Sequence, residues 1–370
     1  MDLALYAPGG FYDRPPVGPD GHFVTSPHVH PVFGTHLANA VLEGWSELGR
    51  PTPLHVVEVA AGDGTLGASM LPALEGIDLV YRAVERTEGA LRALAERGLD
   101  ATADLGEALG EAFTGVVVAN ELLDNMPFRI VRRDGGGEHH ELLVDHDGSG
   151  LRFVEAPCPA DLLELAPAIA PGDEAPVPTG ALRFVERLAS ALERAFVLLV
   201  DYGWDDAPGA SVDPAEAAWQ DRPTAPDDED DDDDPPARIV HAYRNHRATA
   251  DVLSDPGSRD ITAGVDLALL RRHAVELGLL APASVTQRSA LLSLGFRRWD
   301  SEERRLQATL MSEGQGAAAT KTWSERNRAS TLVDRSTLGA LRWLVLLTPG
   351  VEEPDWLHTA RAMDATDTSD

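Results

Sequence analysis

The stretch over residues 54–66 constrains the fold of this chain more than any other. Its first part, residues 54–59, is mostly β-branched and apolar, which predicts a central parallel strand covered on both faces. Gly62 and Gly64 follow, and glycine permits a sharp turn or a close approach of a ligand to the backbone. Residues 70–74 then continue an apolar helical face. A strand, a glycine turn and a helix in this order predict the ligand-binding corner of a doubly wound α/β sheet.

Charge decides which cofactor suits this corner. A dinucleotide places an anionic pyrophosphate on the N-terminus of the helix, and the acidic residues Glu58 and Asp63 would repel it. S-adenosylmethionine carries a positive sulfonium and an ammonium, so a carboxylate beside the turn favours its binding. The sequence therefore favours S-adenosylmethionine. An ordinary strand, turn and helix without a ligand remains open.

Composition restricts the partners. The 370 residues carry a formal net charge of −30, with 61 acidic and 31 basic residues. This excess argues against a nucleic-acid partner, because phosphates require a basic surface. It is compatible with an arginine-bearing target, and equally with simple solubility or a GC-rich genome. Cys158 is the single cysteine, which excludes an intrachain disulfide framework and a cysteine-based zinc site, and no metal is predicted. With no signal or long apolar segment, we predict a cytoplasmic protein without membrane insertion.

The first half of the chain is predicted to hold the core of one catalytic domain. Residues 1–50 combine aromatic residues with many glycines and prolines, which indicates an ordered N-terminal collar followed by a helix over about 33–48. Residues 51–204 form the core. Within it, alternating apolar and polar residues at about 128–155 predict inserted β-hairpins.

The second half begins with a different kind of sequence. Residues 205–237 are rich in Pro, Ala and Asp and lack apolar periodicity, so we predict a disordered surface loop. A calcium loop is a weaker interpretation, because the acidic run lacks spaced ligands and a turn glycine. Residues 238–357 are predicted to complete the catalytic domain, and residues 358–370 to be frayed.

Acidic and polar residues stand at the predicted ends of the later strands. Glu85 ends the second strand, where an acidic residue bonds the hydroxyls of a ribose in sheets of this kind. Asp104 and Leu105 stand where a third strand would end, often beside the adenine, although a surface acid explains Asp104 as well. The apolar residues 116–119 lead into the polar residues 120–127, at the edge where open α/β sheets bind their ligands.

Taken together, these pieces resemble the MidA-like family of class I methyltransferases, whose mitochondrial members are arginine methyltransferases needed for respiratory complex I assembly. The resemblance covers most of the chain outside the acidic loop. It is carried by these strings: Gly10-Phe11-Tyr12; Phe23-Val24-Thr25-Ser26-Pro27; Phe33-Gly34; Glu58 through Leu66; Asn120-Glu121-Leu122-Leu123-Asp124-Asn125-Met126-Pro127; Asp201-Tyr202-Gly203; His246; Asp255-Pro256-Gly257; Asp260-Ile261-Thr262-Ala263; Val265-Asp266; and Thr286-Gln287. The chain departs from the family where Glu is replaced by His28, Gly-Pro by Ala60-Ala61, and His by Gly264.

The resemblance implies an α/β fold: a Rossmann-like class I methyltransferase sheet with inserted β-hairpins, an N-terminal collar and additional C-terminal α/β elements. It implies transfer of a methyl group from S-adenosyl-L-methionine to a protein arginine guanidinium. Two alternatives stay open at this point. One is an O-methyltransferase acting on a small-molecule carboxylate or hydroxyl, and the other is a non-catalytic assembly chaperone that keeps the fold.

It also implies roles for single residues. We expect Glu121 and Asp124 to orient the guanidinium, because carboxylates bind it bidentately, and His246 to accept a proton through water. A surface position explains His246 and Asp266 equally well. The predicted cofactor-binding residues are Glu58, Ala60, Ala61, Gly62, Asp63, Gly64, Glu85, Asp104, Leu105 and Asn120. The predicted substrate-binding residues are Tyr12, Thr25, Ser26, Asp201, Tyr202 and Asp266.

Overall fold

A computed structural model describes residues 1–7, 9–13, 25–146, 148, 150–205, 240–244, 247–249 and 251–367. Apart from Asp205, the predicted acidic loop lies outside the described residues, and so does His246. The strands are β1 (Leu54–Val59), β2 (Leu79–Val84), β3 (Ala101–Thr102), β4 (Phe113–Asn120), β5 (Arg129–Arg133), β6 (His139–His146), β7 (Leu151–Pro157), β8 (Glu174–Val177), β9 (Leu192–Asp201), β10 (Gly203–Trp204), β11 (Val240–Arg244), β12 (Arg247–Thr249), β13 (Asp260–Ala263), β14 (Val265–Asp266), β15 (Val285–Thr286) and β16 (Arg342–Leu347).

The helices of the described residues alternate with these strands over much of the chain. They are α1 (Asp2–Tyr6), α2 (Ser26–Val29), α3 (Val32–Glu47), α4 (Thr65–Met70), α5 (Glu88–Glu96), α6 (Leu105–Leu109), α7 (Ala160–Leu165), α8 (Thr179–Ala191), α9 (Leu267–Glu276), α10 (Gln287–Ser293), α11 (Phe296–Ser312), α12 (Gly316–Ser330) and α13 (Asp355–Asp367). Short 3₁₀ turns stand at Phe11–Asp13, Leu71–Leu74, Pro256–Ser258, Thr331–Val333 and Leu338–Ala340. None of the described helices is long and apolar enough to cross a membrane.

A seven-stranded mixed sheet occupies the centre, in the order β15-β16-β9-β4-β1-β2-β3. Strands β3, β2, β1, β4 and β9 run parallel, while β16 runs antiparallel to β9 and β15 antiparallel to β16. The apolar runs of β4 and β9 are buried on both faces, as expected for central parallel strands. The predicted α/β sheet is confirmed, and the carboxyl ends of its parallel strands meet at one edge.

Helices cover both faces of this sheet. On one face α3, α4, α10 and α13 pack against alternate residues of the central strands, with Phe33, Leu37 and Trp356 among the buried side chains. On the other face α8 and α9 contribute residues such as Val185 and Leu270. The apolar side chains buried in both layers stabilise the fold, since each Å² of apolar surface removed from water contributes about 25 cal/mol of free energy.

Smaller sheets extend the domain beyond the carboxyl edge. The predicted insertion is a four-stranded antiparallel sheet, β7-β6-β5-β8, and β8 extends it beyond the predicted residues 128–155. A three-stranded sheet, β12-β11-β13, follows later in the chain. Leu5 and Phe11 of the N-terminal segment are buried between these two sheets, in a cluster with Ile130 and Ile261. The collar is therefore ordered where it is described.

The C-terminal prediction is wrong in part. Residues 358–367 are not frayed but continue α13, since Trp356, Leu357 and Ala360 are buried in the core. In addition, the backbone N–H and hydroxyl of Thr286 both donate to the Asp364 carboxylate. These contacts fix the last helix against the sheet.

Candidate active site

A cavity of about 570 Å³ opens at the carboxyl edge of the parallel strands. The glycine turn after β1, the end of β2, the residues after β4, helix α2 and the N-terminal segment all contribute to its walls. Most of the predicted site residues line it, namely Tyr12, Thr25, Glu58, Ala60, Ala61, Gly62, Asp63, Glu85, Asp104, Leu105, Asn120 and Glu121. Its position is the one at which open α/β sheets bind ligands.

The glycine turn, residues 60–65, uses its own backbone N–H groups to hold its shape. The amides of Ala60 and Ala61 donate to the Val84 carbonyl, at 2.8 and 3.3 Å, and the amide of Gly64 donates to Ala61. Ala60 adopts a left-handed backbone with φ 56°, which is unfavourable for a residue with a Cβ. Hydrogen bonds within the turn and to the last residue of β2 therefore fix its conformation.

Glu85 directly follows β2, and its carboxyl group connects this strand end to the glycine turn after β1. Its Oε2 accepts the Gly62 amide at 2.9 Å, and its Oε1 accepts the Arg86 amide at 2.8 Å. Burial raises the pKa of Glu85 although these amides lower it. The carboxyl group faces the cavity, and its predicted bond to a ribose stays a prediction.

Glu58, inside β1, stands below the turn and is 2% exposed. The hydroxyl of Tyr81 on the neighbouring strand β2 donates to its Oε2. Burial raises the pKa of Glu58 to about 7, against the smaller opposing effect of Tyr81. A buried carboxyl with one donor is suited to receive a cationic group from the cavity.

Asp63 is the best neutralised acid of the cavity. Its Oδ2 accepts a hydrogen bond from the Arg97 guanidinium at 3.0 Å, and its Oδ1 lies 3.3 Å from Nε2 of His28. It also accepts the amide and hydroxyl of Thr65. Burial alone would raise the pKa of Asp63, but the contacts with His28 and Thr65 outweigh it and hold the pKa well below its usual range.

On the opposite side, Glu121 directly follows β4 and has a left-handed backbone with φ 51°. Its Oε1 accepts the Ser26 amide of α2 and the Asn120 side-chain amide, both at 3.0 Å. Burial raises the pKa of Glu121 to about 7, while these two donors lower it. A strained backbone at a cavity is a common feature of functional residues.

More acids lie behind Glu121. Asp124 and Asp260 are buried. Burial raises the pKa of both, that of Asp260 to about 7, and repulsion from Asp201 and Asp260 raises that of Asp124 further. The hydroxyl of Tyr12 lies 2.8 Å from Oδ1 of Asn125 and 3.0 Å from Oδ1 of Asp260. Among the described residues no salt bridge involves Glu121, Asp124 or Asp260.

Several predicted residues lie away from the cavity wall. Asp201 is buried and its carboxylate accepts the amides of Leu122, Leu123 and Tyr202, so it holds the loop that presents Glu121 and does not line the cavity. Asp266 caps α9 by accepting the Leu269 amide. Tyr202 packs against the core on the α3 side.

Three further predicted residues stand next to the wall without lining it. Gly64 faces away, because a Cβ there would lie 2.7 Å from Leu99. Ser26 donates its amide to Glu121 and its hydroxyl to Gln287. Asp124 lies beneath the cavity wall, where its Oδ1 accepts the Asn125 side-chain amide.

Sequence reasoning left many of the lining residues unassigned, and four of these carry polar or charged side chains of interest for the site. They are Tyr6, His28, Arg86 and Arg187. The Tyr6 ring stacks on Tyr12 at 5.4 Å between centroids, and the Arg86 guanidinium lies 4.0 Å from the centre of the Tyr6 ring. His28 carried a signal, since it departs from the family pattern, while Tyr6 and Arg187 belong to no string that drew attention.

Comparison with known proteins agrees with this fold. Residues 36–284 match the model of a family described as "Putative S-adenosyl-L-methionine-dependent methyltransferase". The protein arginine methyltransferase NDUFAF7 of mitochondria is 26% identical in Rattus norvegicus, over 78% of this chain and 68% of that protein, and 24% identical in Homo sapiens, over 78% and 67%. A solved structure from Burkholderia thailandensis with bound S-adenosyl-homocysteine is 23% identical, with a TM-score of 0.74 over 96% of this chain and 87% of that one.

The sheet and its cavity define an S-adenosylmethionine-dependent methyltransferase of Rossmann-like fold. The chain belongs to the family that its residues 36–284 match, as the sequence strings predicted, and its cofactor is S-adenosylmethionine. The two relatives are named mitochondrial proteins, whereas the cytoplasmic location of this chain stays a prediction.

Proposed function

We propose that this methyltransferase transfers its methyl group to an arginine guanidinium of a protein. Two independent observations support this. The relatives that match three quarters of the chain are named protein arginine methyltransferases. The side of the cavity after β4 presents the half-buried carboxyl group of Glu121, with buried Asp124 beneath the wall, and neither has a cationic partner among the described residues, which favours a positively charged acceptor.

The observation that carries the proposal is the fixation of Glu121. Both of its donors, the Ser26 amide and the Asn120 side chain, bind the same oxygen, Oε1. No hydrogen bond within the described residues is made by Oε2. A guanidinium can therefore approach a carboxyl group whose orientation is already set, and charge-assisted bonds of this type are stronger than neutral ones.

In this mechanism the chain's residues bind and align. Glu121 would accept an N–H of the guanidinium and so orient a second nitrogen toward the cofactor pocket, where bound S-adenosylmethionine would supply the methyl group, the S–C bond breaking as the N–C bond forms. Alignment of this kind lowers the barrier by several kcal/mol, on the order of 7–11 in well-oriented reactions. The proton released from the methylated nitrogen leaves to water. The predicted role of His246 in this step concerns a residue outside the described part of the chain.

A small-molecule acceptor is the second candidate, and the cavity restricts its chemistry. The acids Glu58, Glu85 and Glu121 line the same space, so a carboxylate acceptor would be less favourable there than a neutral or cationic one. A hydroxyl acceptor carries no such penalty. The two candidate functions therefore differ in the product: the methyl group is found on protein arginine in the first and on a small molecule in the second.

The test follows the methyl group. Purified enzyme is incubated with methyl-labelled S-adenosylmethionine and a lysate, and the protein fraction is hydrolysed for amino-acid analysis. The proposal expects label in methylated arginine, and no label in protein when lysate arginines are first blocked with a dicarbonyl reagent. Label confined to the small-molecule fraction, or to another amino acid, contradicts it.

A further inference from the structure

The glycine turn has little left to offer an anionic group. The amides of Ala60, Ala61 and Gly64 donate to backbone carbonyls. The amides of Gly62 and Thr65 donate to the carboxylates of Glu85 and Asp63. The methionine end of the cofactor, however, carries a carboxylate as well as an ammonium. Because the turn spends these five amides on its own structure, a side-chain donor beside the turn is a favourable partner for that carboxylate.

His28 on α2 is such a donor. Its Nδ1 lies 2.8 Å from the hydroxyl of Thr25. When this hydroxyl donates to Nδ1, the ring proton resides on Nε2. Nε2 lies on the cavity, and its nearest acceptor is Oδ1 of Asp63 at 3.3 Å, an ion-pair contact that does not have the geometry of a hydrogen bond. An orphaned buried donor at a ligand cavity indicates that a ligand completes it.

Charge complementarity gives the same result. His28 and Asp63 form an adjacent donor and acceptor pair at the turn. The methionine end of the cofactor is a zwitterion, so its ammonium matches Asp63 while its carboxylate matches His28. A carboxylate placed among Glu58, Asp63 and Glu85 without such a donor would be repelled.

The arginines near the cavity are less suited to this task. Arg97 is engaged with Asp63 and does not line the cavity. Arg86 covers the Tyr6 ring and pairs with Asp2. Arg187 lines the cavity from α8, and its participation is separated by the test below.

From these contacts we propose that Nε2–H of His28 binds the carboxylate of the methionine moiety of S-adenosylmethionine and of the product S-adenosylhomocysteine. His28 is thus a cofactor-binding residue that selects for the amino-acid end. The proposal concerns the methyl donor and is independent of the acceptor proposed above.

The experiment compares two ligands by calorimetry, in the full chain. One is S-adenosylhomocysteine, and the other is its decarboxylated form, which keeps the adenosine, thioether and amine. We expect His28→Ala to weaken S-adenosylhomocysteine by about tenfold or more, the effect of one lost charge-assisted bond, and to change the decarboxylated ligand little. His28→Gln, which retains an N–H donor, restores part of the difference. His146→Ala, an exposed histidine on β6, is the matched control.

The decisive quantity is the difference between the affinity that His28→Ala loses for S-adenosylhomocysteine and the affinity that it loses for the decarboxylated ligand. Equal weakening of both ligands by His28→Ala means that the residue acts on the shape of the cavity, and the proposal is wrong. Unchanged binding of S-adenosylhomocysteine also overturns it, and a selective loss in Arg187→Ala instead assigns the role to that residue. If the unaltered protein binds neither ligand, the cofactor assignment and this proposal are both rejected, whatever happens to the acceptor.

Discussion

The two turns that build the cavity share a geometry and differ in charge. Each follows a central parallel strand at the same edge, and each begins on a non-glycine residue with a left-handed backbone, Ala60 after β1 and Glu121 after β4. In the first turn the acid Asp63 has Arg97 and His28 beside it. In the second turn the Glu121 carboxyl group accepts hydrogen bonds only from neutral donors among the described residues. The backbone amides of the next two residues, Leu122 and Leu123, donate to the Asp201 carboxylate.

The difference teaches which end of the reaction each turn serves. An acid and an imidazole side by side suit the two charges of a zwitterion, so the glycine turn fits the methionine end of the cofactor. A fixed carboxyl group without a cation suits an incoming positive charge, so the residues after β4 fit the acceptor. Similar backbone geometry supports opposite electrostatic tasks.

The largest effect is expected from Glu121→Gln, which removes the negative charge but keeps an oxygen for Ser26 and Asn120. We expect kcat to fall about 10²-fold or more, while calorimetry shows S-adenosylhomocysteine binding little changed. Glu111→Gln, on an exposed residue before β4, is the control. A full rate of methyl transfer in Glu121→Gln would place the acceptor site elsewhere and break the comparison.

The pH dependence of kcat/KM is the next test. Only the ionised form of Glu121 attracts a cation, and burial raises its pKa to about 7 in the free enzyme. We therefore expect kcat/KM for the acceptor to rise about tenfold per pH unit below this value and to level off above it. In Glu121→Gln the residual activity should lose this rise. If the rise persists in the variant, another group such as Glu58 is responsible.

Neutralising a neighbouring acid should stabilise the protein. The raised pKa of Asp260, about 7, means that the folded state prefers the protonated form, so its contribution to stability is present at low pH and is lost as pH rises through 7. Asp260→Asn should raise the free energy of unfolding by about 1–3 kcal/mol at pH 8 and by less at pH 5.

Chemical denaturation at the two pH values measures this effect. The control is Asp78→Asn on an exposed residue, for which no pH-dependent gain is expected. A loss of stability in Asp260→Asn at pH 8 would show that the hydrogen bond from Tyr12 outweighs the burial of charge, and that the second turn is better neutralised than its contacts indicate.

The smallest effect concerns the strain in the first turn. Because Ala60 has φ 56°, Ala60→Gly should stabilise the protein by about 0.5–1 kcal/mol, the strain relieved less the added flexibility of the unfolded chain. Ala61→Gly, at a buried neighbour without a left-handed backbone, should destabilise it. Thermal unfolding of both variants measures the difference, and equal losses would mean that the left-handed residue is not strained.

Much of the fold was predictable because its signals are local. The apolar run 54–59, the glycines after it and the acids at strand ends each indicate their element from a few neighbouring residues. Glycine spacing did not discriminate between cofactors, since Gly62, Gly64 and Gly67 also satisfy the dinucleotide pattern. Gly67 serves packing here, because a Cβ would lie 2.5 Å from the Tyr81 hydroxyl.

What the sequence did not reveal depends on distant contacts. Asp201 stands at the end of a strand, as a site residue would, but its carboxylate accepts backbone amides from Leu122 and Leu123, which are about 80 positions away in the sequence. Helices α11 and α12 escaped prediction because they bury few residues, only Phe296 in α11. The contact of His28 with Asp63 joins segments that no local pattern relates.

The N-terminal segment has a consequence for how such an enzyme can diversify. Tyr6 and Tyr12 reach the acceptor side from residues that belong to no strand of the parallel sheet, and they are anchored by Leu5 and Phe11 in a separate cluster. A graft of residues 1–13 from a relative would therefore exchange part of the acceptor surface while leaving the glycine turn intact. On the proposed assignment of the acceptor side, acceptor preference would then depend in part on a segment outside the sheet that binds the methyl donor.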